Sequence, residues 1–233
     1  MSLHWKEFED FIKGLLPPSL ALDKDFYGWL GSIRPKKVKK VAVVVDVPIS
    51  LNSFEDYDVI VSHHLPPFIP QKPVFVVHTP LDRVEWGCNK KLGEKIGLED
   101  LKFLDETRLG MVGSWKKNKK EALENIFKEF NLKFSRFYIP EEEIEKVAVF
   151  SGCGLNFVPF IEKVESEGVD LVISGDLTHH IALKLKSKGI GFIEIPHYKC
   201  EIPGTMELAN RLREKVQAEF VDVGEPYSYF CIS

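Results

Sequence analysis

KVAVVVD (residues 40–46) and KVAVFSG (residues 146–152) decide the fold, because one apolar run occurs twice and each time opens the same succession of segments. Residues 41–45 (VAVVV) form an unbroken apolar stretch, β-branched at every position but Ala42. That pattern suits a strand covered on both faces, not one that alternates between core and solvent. DVIVSHH (58–64) follows the first copy and DLVISGD (170–176) follows the second. VFVVH (74–78) is then answered by FIEIPH (192–197). Helical stretches such as VPFIEKVESEG (158–168) and LTHHIALKLKSKG (177–189) separate the apolar runs. Strands alternating with helices predict an α/β protein with mostly parallel sheets. The repetition predicts two duplicated α/β lobes, residues 1–115 and 116–233, with no central domain inserted.

Outward from these runs, Trp5, Phe8, Phe11, Ile12, Leu15 and Leu16 recur at helical spacing and stop at Pro17-Pro18, so an amphipathic helix packed on the core is expected there. Residues 89–97 read as a short helix, residues 101–115 as further strands, and Lys119 to Phe130 as a helix with Ala122, Leu123, Ile126, Phe127 and Phe130 on one face. A closing helix from Thr205 to Val216, with Thr205 as its N-cap, and a final strand at 218–223 complete the expectation.

Composition narrows the function classes. A 233-residue chain with 44% hydrophobic residues can bury a sizeable core. Its formal net charge of −4 supplies no positive field for a polyanion, so nucleic acid is not the expected partner, although KKVKK (36–40) and KKNKK (116–120) are local basic runs. No apolar run reaches the roughly 20 residues of a membrane span, and charged residues interrupt the start of the chain, so a cytoplasmic protein is expected. Cys88, Cys153, Cys200 and Cys231 are widely spaced, which fits reduced thiols acting as buried small hydrophobes.

Six of the seven histidines fall at or just beyond the ends of apolar runs: His63, His64, His78, His179, His180 and His197. In open parallel sheets the carboxyl ends of strands share a rim where ligands bind. His78-Thr-Pro-Leu-Asp82 and His197-Tyr-Lys-Cys-Glu201 each place a carboxylate four residues after such a histidine. A first helical turn brings both groups of each pair to one side. Nitrogen and carboxylate donors together suit divalent Zn, Fe, Mn, Co or Ni, not Mg or Ca. Adjacent residues on an extended chain point to opposite sides, so His63 and His64 suit two neighbouring ions better than one. A bridging carboxylate, Asp82 or Glu201, is then required. Capping of strand ends is the plainer reading for any one of these histidines, but not for the whole set.

These residues resemble the Nif-three-like family, also called GTP cyclohydrolase I type 2 homologues. The matching segments are SHHLPPF (62–68), HTPLD (78–82), GCNKKLGEKIGL (87–98), VAVFSGCG (147–154), SGDLTHH (174–180) and HYKCE (197–201). Pro80 and Cys200 stand where that family commonly has Asn and Ser. The resemblance implies two duplicated lobes with a dinuclear metal centre in the cleft between them, and ring-shaped homo-oligomers, commonly hexamers. It implies His63, His64, Asp82, His197 and Glu201 as metal ligands, with His78, Asp176 and His180 supporting them or facing substrate.

Two functions remain open on these grounds. The first is a metal-dependent hydrolase acting on a nucleotide or other phosphorylated small molecule, with His78 or His180 moving the proton. The second is a non-catalytic metal-binding regulatory or interaction module forming a ring-shaped oligomer.

Overall fold

The computed structural model describes residues 2–230; Cys231 lies outside the described residues. Contacts divide the chain into two compact units, residues 1–80 with 208–233 and residues 81–207. Chain order runs α1 Trp5–Leu15, β1 Gly28–Leu30, β2 Lys40–Val44, β3 Val59–Ser62, β4 Val74–Val76, α2 His78–Arg83, α3 Cys88–Ile96, β5 Glu99–Phe103 and β6 Met111–Asn118. It continues with α4 Lys119–Glu129, β7 Phe137–Tyr138, β8 Glu143–Val149, α5 Phe160–Ser166, β9 Leu171–Ser174, α6 His179–Ser187, β10 Gly191–Glu194, α7 His197–Leu212 and β11 Gln217–Phe220. No helix among the described residues is long and apolar enough to cross a membrane.

The first unit holds a five-stranded sheet in the order β1-β4-β3-β2-β11, parallel except for β1. Ala42, Val44, Ile60, Val74 and Val76 face one side of it and pack with Phe54. On the other side Phe75 meets Trp29 at 5.2 Å between ring centroids, and Trp29 meets Phe8 of α1 at 6.2 Å. Phe8 and Ile12 are buried, which places the apolar stripe of α1 in the core. His4 caps that helix together with Glu7.

The second unit holds a six-stranded sheet in the order β5-β6-β8-β9-β10-β7, with β8-β9-β10 parallel and the flanking pairs antiparallel. It has a core on each face, one containing Val147, Val149, Ile173 and Ile193, the other Ala148, Val172 and Phe192. Alternate residues of one strand serve opposite cores. An unbroken apolar run is the sequence record of that arrangement.

The repetition is visible in the hydrogen bonds. Asp58 Oδ2 accepts from the amides of Lys39 and Lys40 at 2.8 and 2.9 Å, while its own amide donates to the Lys40 carbonyl. Asp170 Oδ2 accepts from Glu145 and Lys146 at 3.0 and 2.8 Å, while its amide donates to the Lys146 carbonyl. Each aspartate pegs the entrance of β2 or β8 to the strand that follows, and each of those following strands ends in a fully buried serine, Ser62 or Ser174.

The hairpin β5-β6 pairs with β8, and β11 returns to pair with β2. Three expectations change. The closing helix starts at His197, not Thr205, and runs through Pro203. Thr205 is not an N-cap; it is buried in mid-helix, and its hydroxyl donates back to the Glu201 carbonyl at 2.9 Å. Cys153 is exposed, because it sits in the Gly152-Cys153-Gly154 turn after β8, whereas Cys88 and Cys200 are buried as expected. Replacing Asp170 with Ala strands two amides at once. A loss of about 1–3 kcal/mol in urea denaturation is expected, with a similar loss for Asp58→Ala; an unchanged midpoint would show that water replaces both bonds without cost.

Candidate metal centre

In the first unit the parallel ladder ends at Ser62, whose hydroxyl donates to the His64 carbonyl at 2.8 Å. The amides of His63 and His64 donate to the carbonyls of Val44 and Val45, each at 3.0 Å, and the His78 amide donates to the His63 carbonyl at 2.9 Å. These bonds gather three imidazoles. His63, His64 and His78 each offer a nitrogen within 4.8 Å of the others. The His63 and His64 rings are 4.6 Å apart, closer than an extended backbone would bring them, because the strand has ended one residue earlier. His63 is buried at 1% exposure, an uncommon place for an imidazole.

Aspartates fix two of these rings. His64 Nδ1 donates to Asp46 at 2.8 Å, and His78 Nδ1 donates to Asp25 at 2.6 Å. Asp25 also accepts from the amide of Thr79 at 3.1 Å and from its hydroxyl. Burial works to raise the Asp25 pKa, but the hydrogen bonds from His78 and Thr79 and the His78 charge outweigh it, so the carboxyl lies below its ordinary value.

In the second unit the pattern recurs with another residue order. His197 opens α7, and its Nδ1 donates to Asp176 at 2.7 Å. Its Nε2 lies 3.0 Å from Glu201 Oε1, one helical turn on. Burial disfavours the charged imidazole, yet the hydrogen bonds and charges of Asp176 and Glu201 win, and its pKa is raised to about 11. Glu201 is buried at 3% exposure, and Asp176 adopts a left-handed φ of 58° to turn its carboxylate to the ring. Gly152 has a φ of 74°, and a Cβ there would stand 2.5 Å from Glu201 Oε1 and 3.1 Å from His197 Nε2. The space beside these donors exists because that position has no side chain. Asp82 lies on α2, with the thiol of Cys88 within 4.8 Å of its carboxylate.

Both H-x-x-x-D/E pairs thus start helices directly after a strand, as the spacing predicts. His179 and His180 are exposed at the start of α6, and among the described residues neither joins a donor group within 4.8 Å. Cys200 is buried with its thiol donating to the Ile195 carbonyl at 3.7 Å, and burial pushes its pKa well up. Sequence reasoning missed Asp25, Asp46, Asn89 and the open space at Gly152. Asp46 carried a signal, since it closes the first apolar run at a parallel strand's carboxyl end. Asp25 carried none.

A family model described as Duf34/NIF3 (NGG1p interacting factor 3) matches residues 71–224. The chain belongs to that family. The GTP cyclohydrolase 1 type 2 homolog of Methanothermobacter thermautotrophicus is 33% identical over 221 residues, covering 92% of this chain and 91% of that protein. The solved structure of reduced HcgD from Methanocaldococcus jannaschii shares 27% identity with a TM-score of 0.81, covering 96% of this chain and 98% of that one. A Thermus thermophilus protein, 19% identical with a TM-score of 0.81 over 97% and 100% of the two chains, shares the fold.

In this Duf34/NIF3 chain, Gly152→Ala should cost at least about 1–2 kcal/mol, because the left-handed backbone and the crowding of Glu201 act together. Urea denaturation measures the loss. Wild-type stability would mean that Glu201 moves aside freely.

Proposed function

We propose that this Duf34/NIF3 protein binds two divalent transition-metal ions, with His63, His64, Asp82, His197 and Glu201 as ligands, and hydrolyses a nucleotide or other phosphorylated small molecule. One observation carries the reading. His64, His78 and His197 each have Nδ1 tied to an aspartate, at 2.8, 2.6 and 2.7 Å, which orients the ring and turns Nε2 away from that aspartate, in His197 toward Glu201. Histidines that serve as metal ligands are held in this way, and the carboxylate raises their basicity. The residues fit the group: imidazoles and carboxylates predominate, His63 and Glu201 are buried, and Gly152 leaves room beside Glu201.

When bound, such ions lower the pKa of a coordinated water toward about 7 and polarise the bond under attack. The chain's own residues supply the rest. Asp46 and Asp176 orient His64 and His197. His78, kept in one tautomer by Asp25, is placed among the imidazoles with Nε2 available to accept and return a proton. His180, exposed on α6, is assigned to the substrate side. The names of the relatives point to a nucleotide substrate. Self-association into a homohexameric ring belongs to the same proposal and is read from the mass in solution.

Metal analysis after reconstitution should give two ions per chain, and incubation with nucleotides and phosphoesters should release product from at least one of them. His64→Ala and Glu201→Ala should lower both metal content and turnover, turnover by more than roughly 100-fold. Turnover that survives loss of the metals would sink the hydrolase reading, and binding without turnover across the whole panel would favour a regulatory module.

A further inference from the structure

Beside the donors themselves, GCN (87–89) is bonded to three separate parts of the second unit. Asn89, on the first turn of α3, is 1% exposed. Its two amide ends are both used. Nδ2 donates to the Asp82 carbonyl at 2.9 Å, and Oδ1 accepts from the Ser151 amide at 2.7 Å. Ser151 immediately precedes Gly152, and its hydroxyl donates to the Cys200 carbonyl at 3.3 Å, one residue before Glu201. Next to Asn89, the thiol of Cys88 donates to the Glu201 carbonyl at 3.9 Å. Gly204 lets α7 approach at this point, since a Cβ there would stand 2.4 Å from Cys88 Cα.

Every link in this chain of bonds is neutral, and it runs from the backbone of Asp82 to the backbone on either side of Glu201. We propose that Asn89 is a positioning residue that registers the Asp82 carboxylate against the Gly152 turn and Glu201, so that the two carboxylates keep the separation a pair of metal ions needs. This rests on the reading of Asp82 and Glu201 as ligands. An amide is suited to the task because it donates at one end and accepts at the other without adding charge beside two carboxylates. An aspartate of the same shape keeps the bond from the Ser151 amide, loses the bond to the Asp82 carbonyl and adds a negative charge.

The test is titration of metal-free protein with cobalt(II), reading affinity and the visible absorption bands of the bound ion, for wild type, Asn89→Ala, Asn89→Asp and Asp82→Asn. Folding of each variant is followed in parallel by urea denaturation. Asn89→Ala and Asn89→Asp should weaken cobalt binding by roughly 10–100-fold and alter the band positions or intensities, as loss of a group orienting a ligand does. A purely structural asparagine would lower the urea midpoint and leave the affinity and spectrum of the folded variant unchanged; that result overturns the proposal. If Asn89→Ala does not fold, Asn89→Asp, which retains the bond to Ser151, decides on the same criteria. Wild-type binding in Asp82→Asn would instead refute the ligand assignment beneath it, and an intact affinity in Asn89→Asp with lost affinity in Asp82→Asn would refute the clamp alone.

Discussion

Burying the Glu201 carboxylate is the constraint to which the surrounding structure answers. A carboxylate at 3% exposure gives up most of its hydration, a cost that only an opposite charge and hydrogen bonds offset. His197 supplies the charge from one turn earlier, and Asp176 holds that ring so that its second nitrogen meets the carboxylate. Gly152 removes the side chain that would occupy the same space. The strand-to-helix junction at His197 therefore cannot move by a residue. A shift would separate the imidazole from both of its partners.

The first unit solves a similar problem with the same parts in a different order. Its three parallel strands β2, β3 and β4 follow the order of β8, β9 and β10, and Asp58 pegs them as Asp170 pegs the others. Two residues beyond the buried serine, however, the first unit has His64 and the second has Asp176. In one case the imidazole lies on the loop and its aspartate, Asp46, closes the preceding strand run; in the other the aspartate lies on the loop and the imidazole opens the next helix. A repeated backbone thus permits the members of an Asp-His pair to exchange sides. The hydrogen bond is retained while the donors differ.

This explains what was legible in the sequence. Strands buried on both faces are written as apolar runs rich in Val and Ile, so β2, β3, β9 and the second half of β8 could be read directly, and His63 and His64 at the end of β3 could be read with them. The assignment of β5 and β6 to the second sheet could not, because antiparallel pairing of β6 with β8 depends on contacts that no local pattern records. Thr205 imitated a helix start. The helix starts earlier, at His197, and runs through Pro203 and Thr205, with Gly204 packed on Cys88. Asp25 was invisible for a similar reason. It lies in an irregular segment, and its partner His78 is 53 positions away. Asn89 falls within the matching segment GCNKKLGEKIGL, but no local pattern records that both ends of its amide are engaged.

The balance of charge in the second unit gives these details a direction. Asp176 and Glu201 share the raised imidazole of His197, while the backbone around Asp82 and Glu201 is held by Cys88, Asn89, Ser151 and Thr205, none of which adds charge. Neutral donors satisfy carbonyls without offsetting the carboxylate charge. On the proposed reading, cations would offset the carboxylate charge that a phosphorylated molecule would otherwise meet as repulsion. The proposed function thus carries an order of events: cations held first, an anionic substrate second.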